Sequence, residues 1–398
     1  MRIGLVNLVT KSSEILSEPT AMVRASDLAP TSDAGLNIVE IGRRIASRGH
    51  EVRIFVADVF RPKSPMPFEG RLRIEYVPTR LTRAFPPALA PLTPSLGRCL
   101  KEERLDVVQS GELFQPGTAL SWLGLSSSDV SLFVWQELDV LMRSPLGYAQ
   151  SAYYRTLGKA IVNRCSSLIP RSVSARNHLI QHGVREDRIS SVVHSGVDTR
   201  TFRPLDKGEC MAKFGIDGKE AVILTAARLD PIKGLDLLIR AMTKVSSELP
   251  GSVLVIQGDG PAYPDLKHLV DSLDLKDHVR FITESFPHAE MPPLYNIADV
   301  FAITSRIDLF PFVAIEAISC GVPLATSFSR GLKTDIVDKG GGVMLPQEPE
   351  AMGNAIVSLL EDRDRLTHLA QNCRRLAEED FDFEVCADRL LQIYGRAR

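Results

Sequence analysis

Short apolar runs of strand length alternate with longer amphipathic segments through most of this chain, and that rhythm restricts the fold more than any single motif does. RIGLVNLV is followed by LNIVEIGRRIASRGH and then EVRIFVAD, with LDVVQS and LFVWQ further on. Short continuous apolar runs predict strands buried on both faces, and the amphipathic segments between them predict covering helices, the β-α-β pattern of a parallel sheet. In the first amphipathic segment Ile38, Ile41, Gly42 and Ile45 form an inward stripe, Glu40 and Arg44 pair outward at i, i+4, and Gly49 suits the stop. A second series begins at AVILTAAR and runs through SVLVIQGDG, HVRFITES, DVFAITS, VPLATS and GGVMLP.

Between the two series, HSGVDTRTFRPLDKGE, His194 to Glu209, gathers Gly, Pro and charge, which places a domain boundary near residue 204. At 398 residues the chain is long enough for two domains with a full core each. The expected division is one Rossmann-like domain over residues 1–203, a second over 204–380, and a C-terminal helix over 381–398 set off by the break at DFDFE. Residues 11 to 34 interrupt the rhythm with a long polar stretch, and loops of that length in compact domains are usually functional or mobile.

Charge is nearly balanced, with 47 Lys and Arg against 49 Asp and Glu, which argues against a nucleic-acid binder. The balance is uneven, because residues 41–104 hold 13 basic and 6 acidic side chains. That basic region leaves open a peripheral membrane contact; beside it FPPALAPLTPSL, Phe85 to Leu96, reads either as a loop packed on the first domain or as an acceptor or membrane contact. Six cysteines are scattered without C-x-x-C pairs, which fits a reducing cytoplasm. The opening MRIGLVNLVT is too short for a signal-peptide core and no later run is long enough to span a bilayer, so a soluble cytoplasmic protein, membrane-associated at most, is expected. No metal site is expected. Asp380 and Asp382 form a D-x-D far from every strand end, and His178 and His182, spaced i, i+4, lack a third ligand and read as a solvated helix face.

Ligands of open α/β sheets bind beyond the carboxyl ends of the strands, so the polar turns there carry the chemistry. After AVILTAAR, Arg228 and Lys233 set two cations beside a helix start near Gly234, which suits a diphosphate. The glycines of IQGDGP, Gln257 to Pro261, let a ligand approach the backbone, or simply form a tight turn. After DVFAITS, Asp308 lies in the loop and Glu316 lies within a helix expected to start at Pro311 and stop at Gly321. Two carboxylates beside a helix N-terminus can accept hydrogen bonds from sugar hydroxyls while the helix end attracts phosphate. Each turn alone has an ordinary surface reading; one nucleotide-sugar would bridge all three.

The set ARLDPIKG, IQGDGP and DLFPFVAIEAISCGVP, preceded by HSGVDTRTFRP, resembles glycosyltransferase family 4, the retaining sugar transferases of the GT-B fold. DAGLNIVEIGRRIASRGHEVRIF is similar to that family's glycine loop and first helix, so the resemblance covers nearly all residues except 11–32. It implies an α/β fold of two Rossmann-like domains facing across a cleft that closes on the donor, with the C-terminal helix crossing back to the first domain. It also implies that the C-terminal domain holds a nucleotide-sugar of UDP or GDP type, and that the N-terminal domain holds a small-molecule, glycan or lipid-linked acceptor. Carried over by position, Arg228 and Lys233 would hold the diphosphate, Glu316 the ribose, and Asp308 the donor-sugar hydroxyls. The backbone of Phe310, Pro311 and Phe312 would meet the phosphate, the loop Thr283 to Phe286 with Glu284 would border the base, and Gly35 would let the first-domain loop approach the diphosphate.

Two positions depart from the family pattern. Asp308 stands where the family usually has Glu, and Gln136, in VWQELD, stands where it often has a His beside the sugar. Gln136 can position a hydroxyl by neutral hydrogen bonds but cannot titrate. With Arg228, Lys233 and Asp308 it completes the expected catalytic set, and Glu112 and Glu137 are acceptor-side candidates. No residue is an evident covalent nucleophile. The resemblance therefore implies same-face attack in which a phosphate oxygen of the leaving group takes the acceptor proton, with no metal required. A sugar-nucleotide epimerase or hydrolase of the same fold, or a catalytically silent sugar-binding partner, are the alternatives.

Overall fold

The computed structural model describes residues 1–9, 37–62, 70–82, 84, 90–142, 146–306, 308, 310–327 and 330–396, so the polar stretch 11–34, Gly35 and residues 85–89 lie outside the described residues. Two six-stranded parallel sheets are present, one in each of two compact units, Met1–Gly196 with Phe383–Arg398 and Val197–Asp382. The chain is thus α/β with two Rossmann-like sheets.

In the first unit β1 (Arg2–Val6), β2 (Glu51–Ala57), β3 (Leu72–Val77), β4 (Val107–Gly111), β5 (Ser131–Gln136) and β6 (Ser167–Pro170) lie in the order β3-β2-β1-β4-β5-β6. β1, β4 and β5 are buried almost throughout because layers cover both faces, which is why they read as unbroken apolar runs. The helix Asn37–Ser47 buries Val39, Ile41, Gly42 and Ile45; Ile38, in its first turn, is only half-buried. Glu40 pairs with both Arg43 and Arg44 on the outer face, and Gly49 adopts φ +89° just past the helix end.

The last helix, Phe383–Gly395, returns to this unit. Phe383, Cys386, Ala387, Leu390 and Tyr394 join its core, and the Tyr394 hydroxyl donates to Gln109 of β4 at 2.6 Å. Arg44 lies over the Phe383 ring at 5.3 Å, and Arg48 reaches Glu384 at 2.8 Å and Asp388 at 2.6 Å. The π-helical turn before it ends at Phe381, and the extended backbone of Asp382 that follows pairs with Val197.

In the second unit β7 (Ala221–Ala226), β8 (Ser252–Gln257), β9 (Val279–Ile282), β10 (Val300–Ile303), β11 (Leu324–Thr326) and β12 (Gly342–Met344) lie in the order β12-β11-β10-β7-β8-β9. Successive residues of β7 feed alternate cores, Val222 and Leu224 on one face, Ala221 and Ile223 on the other. Strand order reverses between β7 and β10, and that switch point opens a crevice at the carboxyl ends of the strands. Two helices begin there, Leu235–Glu248 after β7 and Phe312–Ser319 after β10.

His178 and His182 correct one expectation. They do not form a solvated face: His178 is buried, and both rings pack against Tyr154, at 5.9 and 5.5 Å, where the chain makes a π-turn over Tyr154–Gly158. Asp380 and Asp382 are likewise taken, the first by Lys339 at 2.7 Å and the second by the Thr199 hydroxyl. No helix among the described residues is long and apolar enough to cross a membrane.

Candidate functional site

At the switch point the turns after β7 and β10 meet. Lys233 Nζ lies 2.8 Å from Asp308 Oδ2, which also accepts from the Ser305 hydroxyl at 3.1 Å. Two residues 75 positions apart in sequence therefore form one ion pair. The backbone between them is fixed tightly. The Arg306 N–H donates to the Ile232 carbonyl at 2.7 Å, and the Arg306 guanidinium grips both carboxylate oxygens of Asp236 at 2.9 and 2.7 Å. Gly234, φ +63°, follows Lys233, and a Cβ there would sit 2.2 Å from the Thr304 carbonyl oxygen. Only glycine allows the two turns this close.

Arg228 stands at the mouth of the same crevice, its guanidinium 2.6 Å from Asp230, whose other oxygen caps the Ile232 N–H. The helices Leu235–Glu248 and Phe312–Ser319 both start without a side-chain cap, at Gly234 and Pro311. Pro311 is therefore the cap residue and Phe312 the first helical one, a position later than expected. Elsewhere in the unit Asp206, Glu348 and Asp362 do cap their helices. Both cations are ion-paired here, so phosphate binding at these two helix starts would require Lys233 or Arg228 to exchange its carboxylate for the ligand. Phe310 is buried and stacks on Phe381 with ring centroids 6.0 Å apart, leaving only its backbone to serve a ligand, whereas Phe312 is exposed.

The glycines of IQGDGP serve the chain itself. A Cβ on Gly258 would fall 1.9 Å from the Ala227 carbonyl oxygen and one on Gly260 2.5 Å from that of Leu229. These glycines let the turn after β8 lie against the turn that carries Arg228. Glu284 is exposed in the loop after β9, where its carbonyl accepts from the Gln257 amide at 3.4 Å.

Glu316 is buried in the helix Phe312–Ser319, with His288 Nε2 2.8 Å from Oε1 and the Tyr295 hydroxyl donating to Oε2. Neither partner was singled out by sequence. Residues 288 and 295 lie in a loop and a short helix with no periodic relation to 316, so no spacing signal existed.

In the first unit the expected residues gather at the carboxyl ends of β4 and β5. Gln136 is fully buried, and its amide is spent internally: Oε1 accepts from the Leu113 N–H at 3.2 Å, and Nε2 donates to Glu112 Oε2 at 2.8 Å and to the Leu138 carbonyl at 2.9 Å. Gln136 thus acts on Glu112 rather than outward. Glu112, at φ +56°, also accepts from the N–H groups of Glu137 and Leu138 at 2.7 and 3.1 Å. Burial, reinforced by the charge of Glu137, pushes its carboxyl up to about 8 despite those two hydrogen bonds. Glu137 pairs with Arg171 at 2.8 Å, and that guanidinium lies over Trp135.

Two parallel α/β sheets, with Arg228, Lys233, Asp308 and two helix starts gathered at the switch point of the second, make an arrangement that could hold a phosphorylated ligand there. A family model described as Glycosyltransferase Family 4 matches residues 35–201, and one described as Glycosyl transferases group 1 matches residues 206–376. The chain belongs to glycosyltransferase family 4 and is a retaining hexosyltransferase that uses a nucleotide-sugar donor. D-inositol 3-phosphate glycosyltransferase of Kineococcus radiotolerans is 29% identical over 430 residues, covering 97% of each chain. The protein of that name from Rhodococcus jostii is 32% identical over 246 residues, 60% of this chain and 54% of that one. HepE of Anabaena, solved in complex with UDP, has the same fold at 17% identity, with a TM-score of 0.75 and 100% of both chains covered. Sucrose-phosphate synthase from Thermosynechococcus elongatus matches with a TM-score of 0.72 at 20% identity, over 100% of this chain and 98% of that one. These likenesses show the two-domain GT-B fold.

Proposed function

We propose that the second unit binds a UDP-hexose, with the diphosphate on Lys233 and Arg228, the sugar on Asp308 and the ribose on Glu316, and that the first unit presents an acceptor hydroxyl. The observation that carries this reading is the Lys233–Asp308 pair across the switch point. A diphosphate entering the crevice competes with Asp308 for the ammonium. As Lys233 turns to phosphate, Asp308 is released to accept from sugar hydroxyls, so one ion pair is exchanged for two ligand contacts. The turn backbone from Phe310 to Phe312, the uncapped helix ends, Lys233 and Arg228 then stabilise the charge on the leaving nucleoside diphosphate, a role in which one preorganised donor contributes about 3 kcal/mol.

During transfer the bond from the anomeric carbon to the phosphate oxygen breaks and the acceptor oxygen bonds to the same face. The acceptor proton passes to a phosphate oxygen of the leaving group. Glu112, Gln136 and Glu137 form the acceptor-side cluster, with Gln136 holding the Glu112 carboxyl group in place. UDP is favoured because HepE was solved with UDP and with UDP-glucose. An inositol phosphate heads the acceptors to test, from the relatives' names and the basic balance of residues 41–104. The free cysteines suit a cytoplasmic enzyme, and the basic stretch would let it reach a lipid-linked acceptor at an anionic membrane.

The test is a screen of UDP- and GDP-sugars with and without inositol phosphates, polyols and glycans, following free nucleotide. Nucleotide release that requires an acceptor supports transfer. Equal release without acceptor indicates a hydrolase, and no release from any pair indicates a silent binder.

A further inference from the structure

The carboxylate assigned to the ribose is held before any ligand arrives. Glu316 is 8% exposed, with one partner on each oxygen, His288 on Oε1 and Tyr295 on Oε2. Tyr295 is fully buried, and burial together with the charge of Glu316 holds its hydroxyl well above the usual range, so it stays a donor. His288 differs from it. Its side chain is 58% exposed, on the turn His288–Glu290 after the β9 loop, and its ring packs on Phe202 with centroids 4.9 Å apart. Phe202 is itself anchored, its carbonyl accepting from the Ser319 hydroxyl at 2.6 Å and from Arg374 at 3.0 Å.

We propose that His288 is a positioning residue for the donor nucleotide, fixing the Glu316 carboxylate so that each oxygen offers one lone pair to a ribose hydroxyl. The inference rests on the placement of the ribose at Glu316. A carboxylate has about four lone-pair sites. The imidazole and the phenol occupy one on each oxygen, which leaves one on each, and a ribose presents two vicinal hydroxyls that need one acceptor apiece. Phe202 fixes the plane of the imidazole and so the direction of its N–H. Without His288 the carboxylate keeps the Tyr295 bond but can turn about it, and ordering it again falls on the binding step. The anomeric carbon lies beyond the diphosphate from this contact, so the bond-breaking step is spared.

The experiment measures binding of UDP, with GDP in parallel, and donor KM and kcat, in the parent and in His288→Ala, His288→Gln and Glu316→Gln. Loss of a hydrogen bond to a charged group predicts about a tenfold rise in UDP Kd and donor KM for His288→Ala, with kcat within about threefold. His288→Gln, which keeps an N–H donor of similar reach, recovers most of the affinity. UDP lacking both ribose hydroxyls binds the parent and His288→Ala equally. If Glu316→Gln leaves the affinity for both nucleotides unchanged, the ribose is not at Glu316 and the underlying placement fails. If Glu316→Gln weakens binding while His288→Ala stays within twofold of the parent, or if the dideoxy nucleotide loses as much as UDP, the role of His288 alone is overturned.

Discussion

Replacing Lys233 by alanine separates the catalytic reading from a purely structural one. The Lys233 and Asp308 side chains are 21% and 15% exposed, so the pair lies between the exposed and buried limits, and breaking it is expected to cost about 1–2 kcal/mol of stability. That corresponds to a fall of a few degrees in Tm for a unit of this size. The effect on catalysis is larger. Removing one preorganised donor from the leaving diphosphate costs about 3 kcal/mol, and at tenfold per roughly 1.4 kcal/mol the turnover should fall about 100-fold or more. Asp308→Asn is the companion variant: it leaves the cation without its carboxylate, so UDP affinity should hold or improve while turnover falls. Steady-state kcat/KM at saturating acceptor, UDP titration and thermal melts measure all three quantities. Lys233→Ala activity within threefold of the parent in folded protein, or equal loss of UDP affinity in both variants, would refute the exchange of partners at the switch point.

Gln136→Ala should lower Tm, by about 1–3 kcal/mol in stability, because it leaves the Leu113 N–H and Glu112 Oε2 without a partner, while UDP affinity stays within twofold; a calorimetric titration showing weakened UDP binding would contradict this. Glu112 carries a carboxyl raised to about 8 in the fold, so the folded state binds a proton that the unfolded chain has released above its ordinary value near 4.5. Its contribution is therefore present at low pH and lost as pH rises toward 8, and the Tm difference between parent and Glu112→Gln should move in the variant's favour from pH 5 to 8. A constant difference would show that Glu112 ionises normally. Activity should survive EDTA, since the proposed site meets the diphosphate with Arg228, Lys233 and helix ends; loss restored by magnesium or manganese would overturn that. Gly258→Ala should displace the turn carrying Arg228, because its Cβ would meet the Ala227 carbonyl at 1.9 Å with φ at +135°; unchanged Tm and UDP affinity would count against it.

The sequence alone determined the two parallel sheets, because strands covered on both faces must be apolar along their whole length, as in the AVILTA of β7. It was less telling for β3 and β6. β3 is an edge strand with Arg73 exposed, and β6 is four residues ending in Pro170, so neither carries the full apolar signal. The turns of the candidate site could also be placed from the chain, since strand ends and helix starts are local. Their partners could not. Lys233 meets Asp308, Glu316 meets His288 and Tyr295, and Gln136 meets Glu112 only after strands separated by many residues pair in register. Those choices have no sequence period, because a hydrogen bond depends on where two loops leave the sheet. Gly258 and Gly260 show the same limit: their sequence suited a ligand or a turn equally, and only the approach of the neighbouring backbone decided which.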